Sequence, residues 1–163
     1  MKIKIKKMRP DAVIPHYAHG PDQDAGMDLY AVEGEILRPG VPTLVRTGIS
    51  IELPPGYEAQ VRPRSGLALK HGITVLNSPG TVDPSYRGEV GVILLWNGHN
   101  PNDRLVCIGG TPYPPEHGEE IYSVEPGDRI AQLVVSRYEP IDFVEDELNE
   151  TGRGSGGFGS TGK

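Results

Sequence analysis

The chain is organised around the loop Asn77-Ser78-Pro79-Gly80-Thr81-Val82-Asp83-Pro84-Ser85-Tyr86-Arg87-Gly88-Glu89, which directly precedes the apolar run Val90–Trp96. An amide, a carboxylate and an aromatic hydroxyl lie between proline and glycine turns, which can fix side chains at low entropic cost. This pattern is typical of a small binding site carried on a loop. A plain β-hairpin, in which Asp83 and Asn77 only form turns, fits the same residues. The site hypothesis therefore depends on what the rest of the chain supplies.

The composition predicts one all-β domain. The 163 residues include 22 glycines and 16 prolines, while only 36% are hydrophobic and 6% aromatic. Because these breakers are so frequent, long helices have little room, and short strands joined by turns are expected. The lean core gives a single sandwich little to bury, so we expect contacts between subunits to add to it.

The spacing of apolar residues and turns indicates a β-sandwich or barrel. Turns recur about every ten residues between Gly34 and Val61, and apolar residues stand at near-alternate positions in Leu44–Leu53. One short helix is expected at Gly66–His71, ended by Gly72. The run Lys2–Lys6 alternates lysine with isoleucine and predicts a strand with one buried and one solvated face.

Charge and cysteine content restrict the partners and the compartment. A net charge of −6 argues against nucleic acid as the main partner, because binding a phosphate backbone needs a basic surface. A nucleic-acid or membrane patch on the basic run Lys2–Arg9 is the open alternative. The single cysteine, Cys107, excludes an intrachain disulfide and fits a reducing compartment. With no apolar run long enough for a membrane and no signal-peptide core, a soluble cytoplasmic protein is expected.

Two further stretches carry groups suited to binding a phosphate. Arg62-Pro63-Arg64-Ser65-Gly66 precedes the short helix, and Ser65 is expected at its N-cap, where free N–H groups favour an anion. An ordinary serine cap beside surface arginines is the alternative. Gln132 is the one amide in the apolar run Ile130–Val135. A buried glutamine must find partners, and a ligand is one candidate.

The glycine-rich tail Arg153–Lys163 cannot stay folded alone, because ordering glycine costs the most backbone entropy. A disordered tail is the plain interpretation. Phe158, flanked by N–H and hydroxyl groups, instead suits an arm that orders over a nucleotide. Residues 157–163 also fit the first seven positions of a P-loop, but the following Ser/Thr and helix are missing, and we reject that interpretation.

The histidines do not have the spacing of a familiar metal site. His16 and His19 are three residues apart with no third ligand near in sequence. The group His99, Cys107 and His117 matches no common zinc pattern. Surface histidines and a surface loop explain both groups, and metal binding is the alternative at each.

Five stretches together resemble, in order, the five motifs of the trimeric dUTPase family, the deoxyuridine triphosphate pyrophosphatases. They are Ala25–Ala31, Pro63–Ala68, Asn77–Glu89, Gly127–Leu133 and Arg153–Gly162. Any one of them is a weak signal, whereas five in register span nearly the whole chain. The resemblance implies a Mg²⁺-dependent enzyme that hydrolyses dUTP to dUMP and pyrophosphate. That reaction limits uracil incorporation into DNA and supplies dUMP for dTMP synthesis.

The resemblance also implies roles for individual residues. Asp83 matches the general base that deprotonates the attacking water, and Tyr86 matches the tyrosine that packs on the deoxyribose and excludes UTP. Asp28 would act on Mg²⁺ through an intervening water. The remaining implied substrate contacts are Asn77, Gly80 and Val82 for the base, Arg64, Ser65, Gly66, Arg129 and Gln132 for the phosphate region, Phe158 stacking on uracil, and Arg153, Gly159, Ser160 and Thr161 on the outer phosphates.

The family's architecture is a jelly-roll-like β-sandwich assembled as a homotrimer, with active sites at the subunit interfaces. The resemblance divides this chain into a β domain, residues 1–150, and a flexible C-terminal arm, residues 151–163, that closes over a site. Residues 98–121 make the crossing between the third and fourth motifs longer than the usual length of about a dozen residues. We interpret them as a surface insertion that spares the chemistry.

Two other functions fit parts of the pattern. A dCTP deaminase is a relative with the same fold, but it should differ at the base pocket and lack the arm that carries Phe158. A nucleotide-sensing module without catalysis would use the insertion as its interaction surface. Loss of Asp83 or of the arm would favour that module, and both are present.

Overall fold

Eleven short strands and one helix make up the part of the chain that the structure describes. The structure is a computed structural model, and it describes residues 1–98 and 121–157. The strands are β1 Lys4–Lys7, β2 Met27–Tyr30, β3 Glu35–Leu37, β4 Thr43–Arg46, β5 Ile49–Glu52, β6 Tyr57–Arg62, β7 Ile73–Val75, β8 Gly80–Val82, β9 Gly91–Trp96, β10 Tyr122–Val124 and β11 Arg129–Arg137, and the helix is α1 Ser65–His71. The expected all-β class with one short helix is confirmed. Within the described ranges, no helix has the length and apolarity needed to cross a membrane.

The strands pair antiparallel throughout and form four small sheets. The largest has the order β2-β11-β6-β8, and a three-stranded sheet has the order β4-β9-β7. The pairs β1-β5 and β3-β10 complete the fold. Strands distant in sequence are neighbours in the four-stranded sheet, so residues from the first, third and fourth motifs come to lie in one sheet.

The core follows the alternation expected of half-buried strands. In β9, the side chains of Val92, Leu94 and Trp96 are buried, and the residues between them are only partly covered. Burying the side chains of Val92 and Leu94 contributes about 1.5–3 kcal/mol each. Ile5 of β1 packs against this core while the flanking lysines stay exposed, which confirms the predicted two-faced strand.

The short helix begins one residue earlier than predicted, and its cap is a different residue. The N-cap is Arg64, in extended backbone and without a side-chain cap hydrogen bond, so the prediction of a Ser65 cap is wrong. The reason is that the first helical hydrogen bond runs from the Ala68 N–H to the Arg64 carbonyl, which places Ser65 inside the first turn. Gly72 ends the helix in the left-handed region, at φ 65°, as expected.

The segment after β11 is extended and exposed. Residues 138–150 have no regular secondary structure. Ile141, Phe143, Val144 and Leu148 are between 67% and 93% exposed. Exposed apolar surface of this extent is typical of interaction sites. The predicted insertion, apart from Gly98 and Ile121, lies outside the described residues, and so do the group His99, Cys107 and His117 and the tail from Phe158 onwards.

Candidate functional site

The four-stranded sheet aligns residues of several predicted motifs. Asp28 on β2 is the Cα partner of Gln132 on β11, and Gln132 is in turn the partner of Arg62 on β6. Arg64 follows at the end of β6. The sheet therefore gathers residues of the first, second and fourth motifs at one end.

Asp28 holds two arginines together at that end. Its carboxylate is buried, with 5% of the residue exposed. Oδ1 lies 3.2 Å from Arg64 Nε, and Oδ2 lies 3.4 Å from a terminal nitrogen of Arg129. Arg64 also donates to the Arg129 backbone carbonyl at 3.0 Å. Because each guanidinium carries five N–H donors and both arginines are partly exposed, the cluster can still receive an anion.

The remaining predicted phosphate contacts lie near this cluster in sequence. Ser65 and Gly66 are exposed in the first turn of α1, directly after Arg64. Gln132 is half-buried rather than buried, which corrects the expectation of a buried glutamine. The reason is Gly26, which has no side chain to cover it: a Cβ there would stand 3.5 Å from Gln132 Oε1.

The histidines of the first loop have structural contacts. The His16 ring stacks on Tyr30 at 5.5 Å between centroids, and its Nε2 lies 3.2 Å from the Tyr30 hydroxyl. His19 contacts Asp24 at 3.1 Å. Burial raises the pKa of Tyr30, and the Asp28 carboxylate adds to that shift. Across residues 1–98 and 121–157, no three His, Cys, Asp or Glu side chains are grouped so that they could hold a metal.

A separate cavity of about 120 Å³ lies between β8 and the rest of the loop Asn77–Glu89. Four predicted residues line it, namely Asn77, Gly80, Val82 and Tyr86, together with Val61, Thr81, Glu89, Val90 and Gly91. The absence of a side chain at Gly80 lets the Asn77 amide approach, since a Cβ there would stand 3.1 Å from Asn77 Nδ2. One end of the cavity thus offers a donor and an acceptor on a single amide, beside the side chains of Val61, Val82 and Val90.

Tyr86 is folded back against its own loop. Its hydroxyl donates to the Glu89 backbone carbonyl at 3.0 Å, and 45% of the residue is exposed. The ring lies so close to Gly88 that a Cβ there would clash with it. Glycine at position 88 is therefore needed for this ring position.

Asp83 is exposed and follows the last residue of β8. The Tyr86 N–H donates to the Asp83 carbonyl at 3.1 Å, which closes the turn. Asp83 does not lie beside the arginine cluster in one chain. Val82, which directly precedes Asp83, pairs with Ala59 of β6. Ala59 lies three residues, about 10 Å, along β6 from Arg62. The strand that carries Asp28, β2, lies three strands, about 14 Å, across the sheet from β8.

The described part of the tail forms turns. The Gly156 N–H donates to the Arg153 carbonyl at 3.0 Å, and Arg153 Nε donates back to the Gly156 carbonyl at 2.8 Å. Arg153 itself is exposed. The other predicted tail contacts, Phe158, Gly159, Ser160 and Thr161, lie outside the described residues.

Sequence comparison assigns this arrangement to one family. A family model described as dUTPase matches residues 12–102 and 116–162. The chain belongs to the dUTPase family. The suspected resemblance is confirmed, and residues 103–115, which the family model leaves unmatched, fall inside the predicted insertion.

Relatives of this dUTPase-family chain match it along its full length. It is 52% identical over 163 residues to the deoxyuridine 5'-triphosphate nucleotidohydrolase of Solibacter usitatus, covering 100% of this chain and 97% of the relative. It is 49% identical over 162 residues to the protein of the same name from Clostridium tetani, covering 99% and 97%. The alignment with the Solibacter usitatus protein therefore runs through residues 103–115 as well.

Solved structures confirm the fold. The dUTPase of Staphylococcus bacteriophage 80alpha with dUpNHpp superposes with a TM-score of 0.79 at 28% identity, covering 99% of each chain. The G164S mutant of that phage enzyme, also with dUpNHpp, gives 0.79 at 27% identity, again over 99% of both chains. The predicted jelly-roll-like β-sandwich of the dUTPase type is thus confirmed.

Two carboxylates of this dUTPase-family chain received no role from the sequence. Glu89 lines the cavity, and its side chain binds a distant turn. Asp128 lies in the turn that fixes the start of β11, where its Oδ2 accepts the Glu125 N–H at 2.8 Å. Burial raises the Asp128 pKa to about 6; the Glu125 hydrogen bond opposes this, and the Glu125 charge adds to it. The sequence signal that could have identified both residues is an acidic residue directly after a glycine, as in Gly88-Glu89 and Gly127-Asp128.

Proposed function

We propose that this protein is a dUTP diphosphatase, which hydrolyses dUTP to dUMP and pyrophosphate. Membership of the dUTPase family supports the reaction, and the cavity that holds Asn77, Gly80, Val82 and Tyr86 is the observation that carries it. The reaction limits uracil incorporation into DNA and supplies dUMP for dTMP synthesis. The single cysteine fits work in the reducing cytoplasm.

Base and sugar occupy the cavity in this proposal. The Asn77 amide carries both a donor and an acceptor, as uracil's pairing edge requires, and Gly80 leaves room for that edge. Val82 supplies an apolar wall. Tyr86 packs on the deoxyribose, where its ring would leave no room for a 2′-hydroxyl. A site that discriminates in this way rejects UTP by steric exclusion.

The triphosphate binds at the arginine cluster. Arg64 and Arg129 supply charge, while Asp28 holds both guanidinium groups so that little reorganisation is needed when the anion arrives. Ser65, the Gly66 N–H and the Gln132 amide add neutral hydrogen-bond partners to the phosphate oxygens. This arrangement stabilises charge on the phosphates, which is the main requirement for phosphoryl transfer.

Asp83 acts as the general base. Its exposed carboxylate takes a proton from a water molecule as the water oxygen forms a bond to the α-phosphorus. The bond between that phosphorus and the oxygen bridging to the β-phosphate breaks, and its electron pair leaves with pyrophosphate. The turn that holds Asp83 is braced by Arg87, which donates to the carbonyls of Pro84 at 2.6 Å and Tyr86 at 2.9 Å.

The donor set fits a Mg²⁺ ion that arrives on the triphosphate. Mg²⁺ commonly binds through substrate phosphates and water with few protein ligands. Asp28 Oδ1 is buried and has no hydrogen-bond partner, although Arg64 Nε lies 3.2 Å away. In this proposal a water of the ion's hydration shell would donate to it. When bound, the ion would neutralise charge on the phosphate oxygens.

A homotrimer with shared sites completes the proposal. One chain leaves Asp83 and the arginine cluster apart, so a neighbouring chain would bring the second group to each cavity. The exposed segment 138–150 supplies apolar surface for such contacts. The β domain, residues 1–150, then carries the pocket, and the arm, residues 151–163, closes over it. In that arm Phe158 stacks on uracil, while Arg153, Gly159, Ser160 and Thr161 hold the outer phosphates.

The first test is pyrophosphate release with Mg²⁺ from dUTP, UTP, dCTP and dTTP, for the wild type, Asp83→Asn and the control Asp22→Asn. We expect release from dUTP alone, reduced about 10²–10⁴-fold in Asp83→Asn because the base is lost. Asp22 is exposed in an early turn, so its substitution should leave the rate unchanged. Full activity in Asp83→Asn would contradict the base assignment. Ammonia from dCTP would indicate a deaminase, and no turnover would favour a nucleotide-sensing module.

A further inference from the structure

The loop that carries Asp83 and Tyr86 is fastened at its far end to the turn between β4 and β5. The Gly48 N–H donates to Glu89 Oε1 at 2.7 Å, and Arg46 contacts Glu89 Oε2 at 2.8 Å. In the same turn, the Thr47 hydroxyl donates to the Val90 carbonyl. Ser50, on β5, donates to the Arg87 carbonyl at 2.9 Å. Four side-chain contacts from the end of β4, the turn and β5 thus hold residues 87–90, and the Val90 N–H adds a backbone bond to the Ile49 carbonyl at 2.8 Å.

Glu89 takes part in two of these four contacts, and it also touches the pocket. It lines the cavity, and its own backbone carbonyl accepts the Tyr86 hydroxyl at 3.0 Å. Its side chain is only 17% exposed. Fixing the Glu89 side chain therefore fixes the acceptor that holds the Tyr86 ring.

We propose that Glu89 is a positioning residue that sets the selectivity of the pocket for deoxyribose over ribose, by holding Tyr86 in place. This inference rests on the proposed function, because it deepens the role of the same pocket. Both carboxylate oxygens are already engaged, one by a backbone N–H and one by a guanidinium. Glu89 is thus unsuited to act as a base, and its effect passes through Tyr86.

The charge on Glu89 is balanced by a chain of ion pairs that leads away from the pocket. Arg46 Nε lies 3.5 Å from Glu33, and Glu33 accepts from Arg9 at 2.7 Å. Removing the Glu89 carboxylate leaves the Gly48 N–H without its acceptor and frees the loop end. Loss of such a partly buried, charge-assisted hydrogen bond changes an equilibrium by about tenfold or more.

The experiment compares Glu89→Ala and Glu89→Gln with Glu35→Gln in the full-length protein. Glu35 is the control, because it is a half-buried carboxylate on β3 that pairs with Val124 of β10, in a different sheet from the one that carries the loop. The readout is the affinity ratio for dUpNHpp over its ribose counterpart UpNHpp, measured by calorimetry with Mg²⁺. We expect this ratio to fall about tenfold in Glu89→Ala and less in Glu89→Gln, whose amide oxygen still accepts.

A cycle with Tyr86→Phe separates positioning from general loosening. If Glu89 acts through Tyr86, then Glu89→Gln should cause no further loss of selectivity once the Tyr86 hydroxyl is gone. Turnover should show the same pattern as a raised KM for dUTP with kcat nearly unchanged. An unchanged affinity ratio in Glu89→Gln, or additive effects in the cycle, would overturn the proposal, and Glu89→Gln decides this even if Glu89→Ala does not fold. If the protein binds dUpNHpp more tightly than UpNHpp but releases no pyrophosphate from dUTP, that result would count against the proposed function alone.

Discussion

Asp28 shows how one buried carboxylate can organise a cationic site. Alone it would be costly to bury, but two guanidinium groups and its place on β2 compensate. The arginines in turn are prevented from spreading apart by their shared partner. The same residue that the sequence linked only to Mg²⁺ is therefore also the support for Arg64 and Arg129.

Asp128 predicts a specific pH dependence of stability. Its pKa is raised in the folded chain to about 6, first because burial removes hydration. The unfolded chain releases this proton near pH 4, so the folded state binds more protons between those values, and the stability contribution of Asp128 falls as pH rises from about 4 through 6. Asp128→Asn removes that loss and keeps an oxygen for the Glu125 N–H. The variant should therefore gain stability relative to the wild type between pH 4.5 and pH 7.5.

Urea unfolding at those two pH values measures the effect, with Asp22→Asn as the control. Asp22 is exposed in an early turn, outside the segment proposed for assembly, and its substitution removes the same formal charge. Parallel pH profiles for wild type and Asp128→Asn would show that Asp128 titrates alike in the folded and unfolded chains.

At the scale of elements, the C-terminal arm should matter for catalysis and not for stability. The described part of the arm buries no large side chain and makes only local turns. A chain ending at Glu150 should keep its unfolding midpoint yet lose about 10²-fold or more in kcat/KM for dUTP, because the groups that cover the substrate are gone. Phe158→Ala separates base stacking from the phosphate contacts. A truncated protein with full activity would exclude the lid role.

The strands and the helix were the features that local sequence patterns predicted best. The strand from Gly91 to Trp96, the stop at Gly72 and the two-faced strand β1 follow from alternation and glycine chemistry within a few residues. The misplaced cap at Ser65 has a different origin. Which residue starts a helix depends on the conformation of Arg64, and Arg64 is held by Asp28, a partner 36 positions away in the chain.

At the scale of the whole molecule, the exposed segment predicts assembly. Phe143 and Leu148 are each 93% exposed in the single chain. If neighbouring chains cover them, the double substitution Phe143→Asp and Leu148→Asp should reduce the mass in light scattering from three chains to one, and activity should fall with it because each site would lose its shared residues. Val41→Asp, at a turn position that is 48% exposed, is the control. A variant that keeps the wild-type mass would show that this segment does not hold the assembly together.

The all-β class, the short helix, the family and four of the cavity residues, Asn77, Gly80, Val82 and Tyr86, could be predicted from the amino-acid sequence. The class and the helix depend on local alternation and turn chemistry, and the family and its residues depend on five motifs recognised together in order. Which of these residues meet depends on the tertiary structure. Asp28 joins Arg129 across 101 positions, and Glu89 reaches Gly48 across 41. Strand register fixes such pairs, and register follows from packing of the whole core, which no local stretch encodes.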